Sequence, residues 1–166
     1  MKKFLLYFSL LLFLTALIGK NYLLTSQMPL TEDGHGNLGL AWAFRNSILQ
    51  DKSLPHWDAV GGTPLGEFHP FPGAYYYTGI IALFLPNPAI VLKIAIMLAI
   101  LMAGISMYFL ILTFTGNSFG SMLAGLIYAF NPYFLLEGPV TGHINFIFVY
   151  MIFPFLLVPE RSQFGV

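Results

Sequence analysis

The sequence predicts an all-α membrane protein, a polytopic bundle of helices, from its composition and from the length of its apolar stretches. Hydrophobic residues make up 57% of the 166 residues and charged residues 8%, whereas a soluble domain carries about 25% charge. Several apolar stretches approach or exceed the roughly 20 residues that a helix needs to cross a bilayer. The net charge of zero does not suggest nucleic acid as a partner, and the lack of cysteine excludes disulfides and thiolate metal sites.

The first predicted span covers residues 1–24. Lys2 and Lys3 precede an apolar stretch that is long enough for an uncleaved anchor, and such basic residues hold an N-terminus in the cytoplasm. A cleaved signal peptide is the alternative, because it also joins a basic start to an apolar segment. No A-x-A cleavage site is evident, so we favour the anchor.

Three further spans are predicted within residues 89–159, at 89–115, 118–136 and 143–158. The stretch 73–85 has only about 13 apolar residues and fits a re-entrant or interfacial helix better than a span. Four spans return Arg161 to the cytoplasm and five place it outside, so the positive-inside rule favours four. Residues 1–166 then form a single multi-pass domain in the plasma membrane, with residues 25–88 as an extracytoplasmic loop.

The long loop holds most of the ionisable groups, with five of the seven acidic residues and three of the four histidines. Long loops in compact proteins are often functional. Near its start, Glu32, Asp33 and His35 combine two carboxylates with an imidazole, which suits a general base or a hard-metal site. The simpler interpretation is a helix start with Thr31 or Asp33 as its cap.

Apolar spacing predicts a helix over residues 38–50, lying in the membrane interface. The residues on its predicted apolar face are Leu38, Ala41, Trp42, Ile48 and Leu49. Trp42 would anchor this helix at headgroup depth, while Arg45 either reaches a phosphate or extends to solvent without a ligand. The Gly- and Pro-rich segment 54–72 is too irregular for a helix, and Trp57 is one of its apolar anchors. The tyrosines 75–77 then predict an aromatic belt.

A second polar segment falls between two later spans, where Glu137 and His143 stand six residues apart across a Gly-Pro-Gly turn. Either residue alone is adequately explained as interfacial. Together with Glu32 and Asp33, they could line one cavity at the outer face.

These residues resemble the N-terminal part of GT-C-fold glycosyltransferases, polytopic enzymes that use lipid-phosphate-linked sugars. The resemblance is to YfhO-like and 6-pyruvoyl-tetrahydropterin synthase-related prokaryotic membrane proteins, and more distantly to the catalytic subunit of oligosaccharyltransferase. Three features carry it: the acids Glu32 and Asp33 after the first span, the Pro- and Gly-rich run 54–64 with Trp57 and Asp58, and Asn131-Pro132-Tyr133 followed by Gly142-His143.

The resemblance implies a polyprenyl-phosphate-sugar donor and places Asp33 at the active site. Asp33 would act as the general base or as the only candidate metal ligand, for Mg²⁺ or Mn²⁺, with Glu32 and His35 assisting. The substrate-binding residues would be Arg45, Trp57, Asp58, Glu137 and His143. Enzymes of this fold have many more than four spans, so we expect the chain to be the N-terminal piece of a longer protein, inactive alone.

Two other functions remain open from the sequence. A transporter or lipid-handling protein would use the same polar residues to line a path, and ionisable groups inside spans mark such paths. Lys93 is the one charged residue within the three later predicted spans, which favours a reaction at the surface. A non-catalytic fragment or assembly subunit is the third possibility.

Overall fold

The computed structural model describes residues 2–25, 34–52 and 72–158. Of these residues 89% are helical and none lies in a strand, so the prediction of an all-α membrane bundle is confirmed. The helices, in chain order, are α1 (Lys2–Leu24), α2 (Gly34–Asn46), α3 (Pro72–Phe84), α4 (Pro88–Thr115), α5 (Ser118–Ala129), α6 (Pro132–Leu135) and α7 (Ile144–Leu156). Two π-helical turns, Ser47–Asp51 and Leu136–Val140, follow α2 and α6.

In the described part of the chain, three helical segments are long and apolar enough to cross a membrane: Lys2–Leu24, Pro88–Thr115 and Ser118–Val140. The last of these joins α5, α6 and the second π-helical turn. The fourth predicted span, 143–158, is the 13-residue helix α7. At 1.5 Å per residue α7 is about 20 Å long, less than the roughly 30 Å hydrocarbon core of a bilayer.

Helix α1 meets the rest of the bundle along one narrow stripe. Its buried residues recur every four positions: Tyr7, Leu11, Thr15 and Gly19. Leu6, by contrast, is 70% exposed, as expected for a side chain that lipid covers.

Helix α2 begins four residues before the predicted start, and its buried face matches the predicted one at Ala41 but not at Leu49. Ala41 and Phe44 are buried, with the Phe44 ring 5.1 Å from that of Tyr76 in α3. Leu49, which the 3.6-residue period placed on this face, is 44% exposed. The π-helical turn at Ser47–Asp51 has i→i+5 bonding and so moves the later residues to another face.

Asparagine and glycine set both ends of α4 and the start of α5. The Asn87 side chain caps α4 by accepting a hydrogen bond from the Ile90 N–H, and Pro88 follows at the first helical position. Gly116 ends α4 in the left-handed conformation, with φ of 63°. Asn117 then caps α5, so these two residues turn the chain back into a helical hairpin.

Helix α4 lies at the centre of the bundle, in contact with α1, α3, α5 and α7. Half of its 28 residues are buried. The residues of α4 itself are apolar on every face of the helix, which is the pattern expected of a helix enclosed by others.

Small residues let α1, α4 and α5 approach closely at one level of the membrane. The Tyr7 hydroxyl donates a 2.8 Å hydrogen bond to the Gly104 carbonyl. A Cβ atom on Gly125 would lie 2.7 Å from that carbonyl oxygen and against the Tyr7 hydroxyl. Glycine at both positions therefore sets the helix separation, as is common in membrane bundles.

Candidate functional site

A carboxylate and an imidazole meet at the turn between the second π-helical turn and α7. Glu137 Oε2 and His143 Nδ1 are in hydrogen-bond contact; the Glu137 side chain is 13% exposed and that of His143 is 35% exposed. Two hydrogen bonds fix the turn, from Thr141 Oγ1 (2.6 Å) and from the His143 N–H (2.9 Å), both to the Glu137 carbonyl. Gly142, with φ of 77°, supplies the reversal that brings the pair together.

A carboxylate in contact with Nδ1 is the arrangement that orients a histidine for proton transfer at Nε2. A carboxylate that binds Nδ1 fixes the imidazole tautomer and orientation, and it stabilises the imidazolium that forms when Nε2 takes a proton. The sequence analysis placed Glu137 and His143 in one turn, and the structure brings their side chains into contact. The pair can therefore act as a general base.

A second polar contact joins α7 to α3. Asn145 Nδ2 donates to the Tyr75 hydroxyl at 3.3 Å, and Tyr75 is 6% exposed. Asn145 Oδ1 is buried and has no hydrogen-bond partner among the described residues. The predicted aromatic belt is thus partly turned inward at Tyr75.

Lys93 is buried in α4, at 2% exposure. Its Nζ donates to the carbonyl oxygen of Thr25 (2.6 Å) and to the Thr25 hydroxyl (2.8 Å), and it lies 5.7 Å from the centroid of the Tyr22 ring. Sequence analysis singled out Lys93 as a charge within a span, but no sequence signal pointed to Tyr22 or Thr25. The contact ties the end of α1 to the beginning of α4.

The polar contacts gather around the same two turns of α4. Thr25 meets Lys93, the Tyr77 hydroxyl donates to the Ala95 carbonyl at 2.6 Å, and Gly138 lies against Ile96. The Glu137–His143 pair and the Lys93 contact therefore occupy the same end of the bundle, where α1 ends and the long loop begins. We use the name polar layer for Lys93 with Thr25, the Tyr77–Ala95 hydrogen bond and the Glu137–His143 pair, which all lie at this end of the bundle.

The Arg45 side chain of α2 is bound to helix α3. Its Nε donates to the Ala82 carbonyl at 2.9 Å, and its guanidinium lies over the Trp42 ring, 5.1 Å from the centroid. Along α3, Ala82 is seven residues from Tyr75, about 10 Å on the helix axis. Arg45 is thus anchored at the opposite end of α3 from the Asn145 contact, and one of its five N–H groups is committed to Ala82.

The remaining predicted site residues cannot be placed in the same way. Glu32, Asp33, Trp57 and Asp58 lie outside the described residues, and His35 is described only as part of the α2 backbone. Within residues 2–25, 34–52 and 72–158, no three His, Asp or Glu side chains are grouped as a metal site requires. The predicted Mg²⁺ or Mn²⁺ site therefore has no ligand set in this part of the chain.

An apolar groove of about 400 Å³ runs between α4, α5 and α7. On α7 it is lined by Phe146, Tyr150 and Phe153, and it begins three residues after His143. Tyr150 stacks on Tyr128 of α5, with ring centroids 4.0 Å apart. The groove thus descends along α7 from the neighbourhood of the Glu137–His143 pair.

Fold and site together define the class: an all-α helical membrane protein with a carboxylate–histidine pair and a buried lysine in one polar layer. Comparison with known proteins adds no narrower identity, since no family model, curated protein or solved structure matches the chain.

Proposed function

We propose that the chain is part of a membrane glycosyltransferase of the GT-C type, which transfers a sugar from a polyprenyl-phosphate-linked donor at the outer face of the plasma membrane. The observation that carries this proposal is the Glu137–His143 pair. It is an oriented base at the end of the bundle where the long acidic loop begins.

In this reaction the acceptor hydroxyl oxygen forms a bond to the anomeric carbon while the bond from that carbon to the phosphate oxygen breaks. His143 takes the hydroxyl proton, Glu137 stabilises the resulting imidazolium, and polyprenyl phosphate leaves with the bonding electrons. A positioned base of this kind contributes about 10²–10⁴-fold to the rate. Asp33, with Glu32 and His35 assisting, is the alternative base that the family resemblance implies.

Two further features support a lipid-linked donor. The apolar groove along α7 fits an alkyl or isoprenoid chain, and it begins near His143. Arg45 carries N–H groups beyond the one bound to Ala82, which would help to neutralise the leaving phosphate. Trp57 and Asp58 are proposed to contact the sugar.

The proposal requires the polar layer to face outward and the N-terminus to face the cytoplasm. The chain has no cysteine, so each introduced cysteine is a unique label. In intact cells, a membrane-impermeant maleimide should label V140C, at the Glu137 end of the bundle, and should not label T115C at the other end of α4. Labelling of T115C alone would invert the orientation and remove the outer-face reaction.

The role of Asp33 is tested by transfer from a polyprenyl-phosphate-linked sugar in membranes of cells that express the natural gene. If Asp33 is the base, D33N should lower transfer by about 100-fold or more. Transfer at the wild-type rate would leave His143 as the base. A solute flux into proteoliposomes that depends on Asp33 would favour a transporter instead.

A further inference from the structure

The polar layer contains a buried cation that the proposed reaction does not use. Lys93 is 2% exposed, and its two hydrogen-bond acceptors, the carbonyl and hydroxyl oxygens of Thr25, are both neutral. Among residues 2–25, 34–52 and 72–158, no carboxylate lies within salt-bridge distance of its Nζ. An ammonium group has three N–H donors, so Thr25 accounts for two of them.

A second donor without an acceptor lies beside this cation. The Tyr22 ring centroid is 5.7 Å from Lys93 Nζ. The Tyr22 hydroxyl is buried, and it has no hydrogen-bond partner within the described part of the chain. Two side chains from different helices, α1 and α4, therefore bring to one place a positive charge and an O–H group that have no anionic partner and no acceptor, respectively, among the described residues.

The buried charge of Lys93 and the buried hydroxyl of Tyr22 both raise the free energy of the folded protein unless a ligand binds to them. A buried polar group without a partner costs free energy, and a charge at membrane depth is rare unless it serves a function. In the low-dielectric interior, a negative group beside the ammonium would be attracted more strongly than in water. The chemistry that matches one cation and two donors is an anion with several oxygen acceptors.

We propose that Lys93 and Tyr22 form a binding site for a phosphate-type oxyanion. One oxygen accepts the third N–H of Lys93, and another accepts the Tyr22 O–H. The oxyanion is either the headgroup phosphate of a lipid or a soluble phosphate. Binding also pairs the buried ammonium charge while its hydrogen bonds to Thr25 remain, and an anion that binds only the folded protein raises its stability.

The site lies close to the Glu137–His143 pair around α4. Lys93 and Ile96 are three residues apart, so they occupy neighbouring faces about one turn apart along the helix. Gly138, next to Glu137, packs against Ile96. An oxyanion at Lys93 therefore lies at the same end of α4 as the proposed base. Its binding stands on the α1–α4 geometry and does not depend on glycosyl transfer.

Ligand-dependent thermal stability of the purified protein in detergent tests the proposal. Dioctanoyl phosphatidic acid provides the lipid phosphate, inorganic phosphate provides the soluble one, and dioctanoylglycerol is the lipid without phosphate. We expect at least one phosphate probe to raise Tm and dioctanoylglycerol to leave it unchanged. K93Q should weaken the apparent affinity by about tenfold or more, because it removes a charge-assisted hydrogen bond.

Y22F is the decisive second variant, because it deletes only a hydroxyl that has no partner in the described structure. Its Tm without ligand should equal that of the wild type, while its affinity for the phosphate probe falls severalfold. K52Q is the matched lysine control: Lys52 is exposed and donates to the carbonyl of Leu49, so K52Q should bind normally. The proposal is overturned if neither phosphate probe stabilises the wild type, or if Y22F binds the probe as the wild type does.

Discussion

Replacing Glu137 by glutamine is expected to lower glycosyl transfer by about 100-fold or more. Glutamine has the same size and can still accept a hydrogen bond from His143 Nδ1, so the turn is preserved. It carries no negative charge, however, and cannot stabilise the imidazolium that forms during proton transfer. The measurement is the rate of sugar transfer from a polyprenyl-phosphate-linked donor in membranes that contain equal amounts of each variant.

The pair should also behave as one unit. H143Q should lose about as much activity as E137Q, and the double variant should be little worse than either, because catalytic groups that act together are not additive. Tyr133 lies on the same segment and is 58% exposed, so Y133F is the control and should keep wild-type activity. Wild-type rates in both E137Q and H143Q would exclude the pair as the base.

Replacing Gly125 by alanine is expected to destabilise the bundle by about 2 kcal/mol, a typical cost of overpacking. The added Cβ would lie 2.7 Å from the Gly104 carbonyl oxygen, which is backbone and cannot rotate away. It would also press on Tyr7 and disturb the hydrogen bond that joins α1 to α4. Thermal unfolding in detergent, followed by circular dichroism, measures the effect.

Gly120 provides the matched control on the same helix. A Cβ at this position would have its nearest neighbour, Asn117, at 3.6 Å, which is ordinary contact. G120A should therefore be neutral or slightly stabilising, because alanine favours a helix over glycine by up to about 1 kcal/mol. Equal stability of G125A and G120A would show that α1, α4 and α5 do not meet as described.

Local features of the sequence predicted much of this architecture. Composition and apolar run length gave the membrane bundle, and the short stretch after Pro72 correctly suggested a helix of 13 residues. The spacing of Glu137 and His143 across a turn was enough to nominate them together. The buried face of α2 was not predictable in the same way, because a single π-helical turn moves Leu49 out of the 3.6-residue pattern.

The sequence by itself determined properties that depend on neighbours along the chain: the helix class and the turn that joins Glu137 to His143. The tertiary structure alone decided which distant groups meet. Lys93 Nζ donates a hydrogen bond to Thr25, 68 residues away, and Arg45 Nε donates one to the Ala82 carbonyl. Such partners follow from how α1 to α4 pack, and packing among apolar helices depends on shape, which no hydropathy pattern encodes.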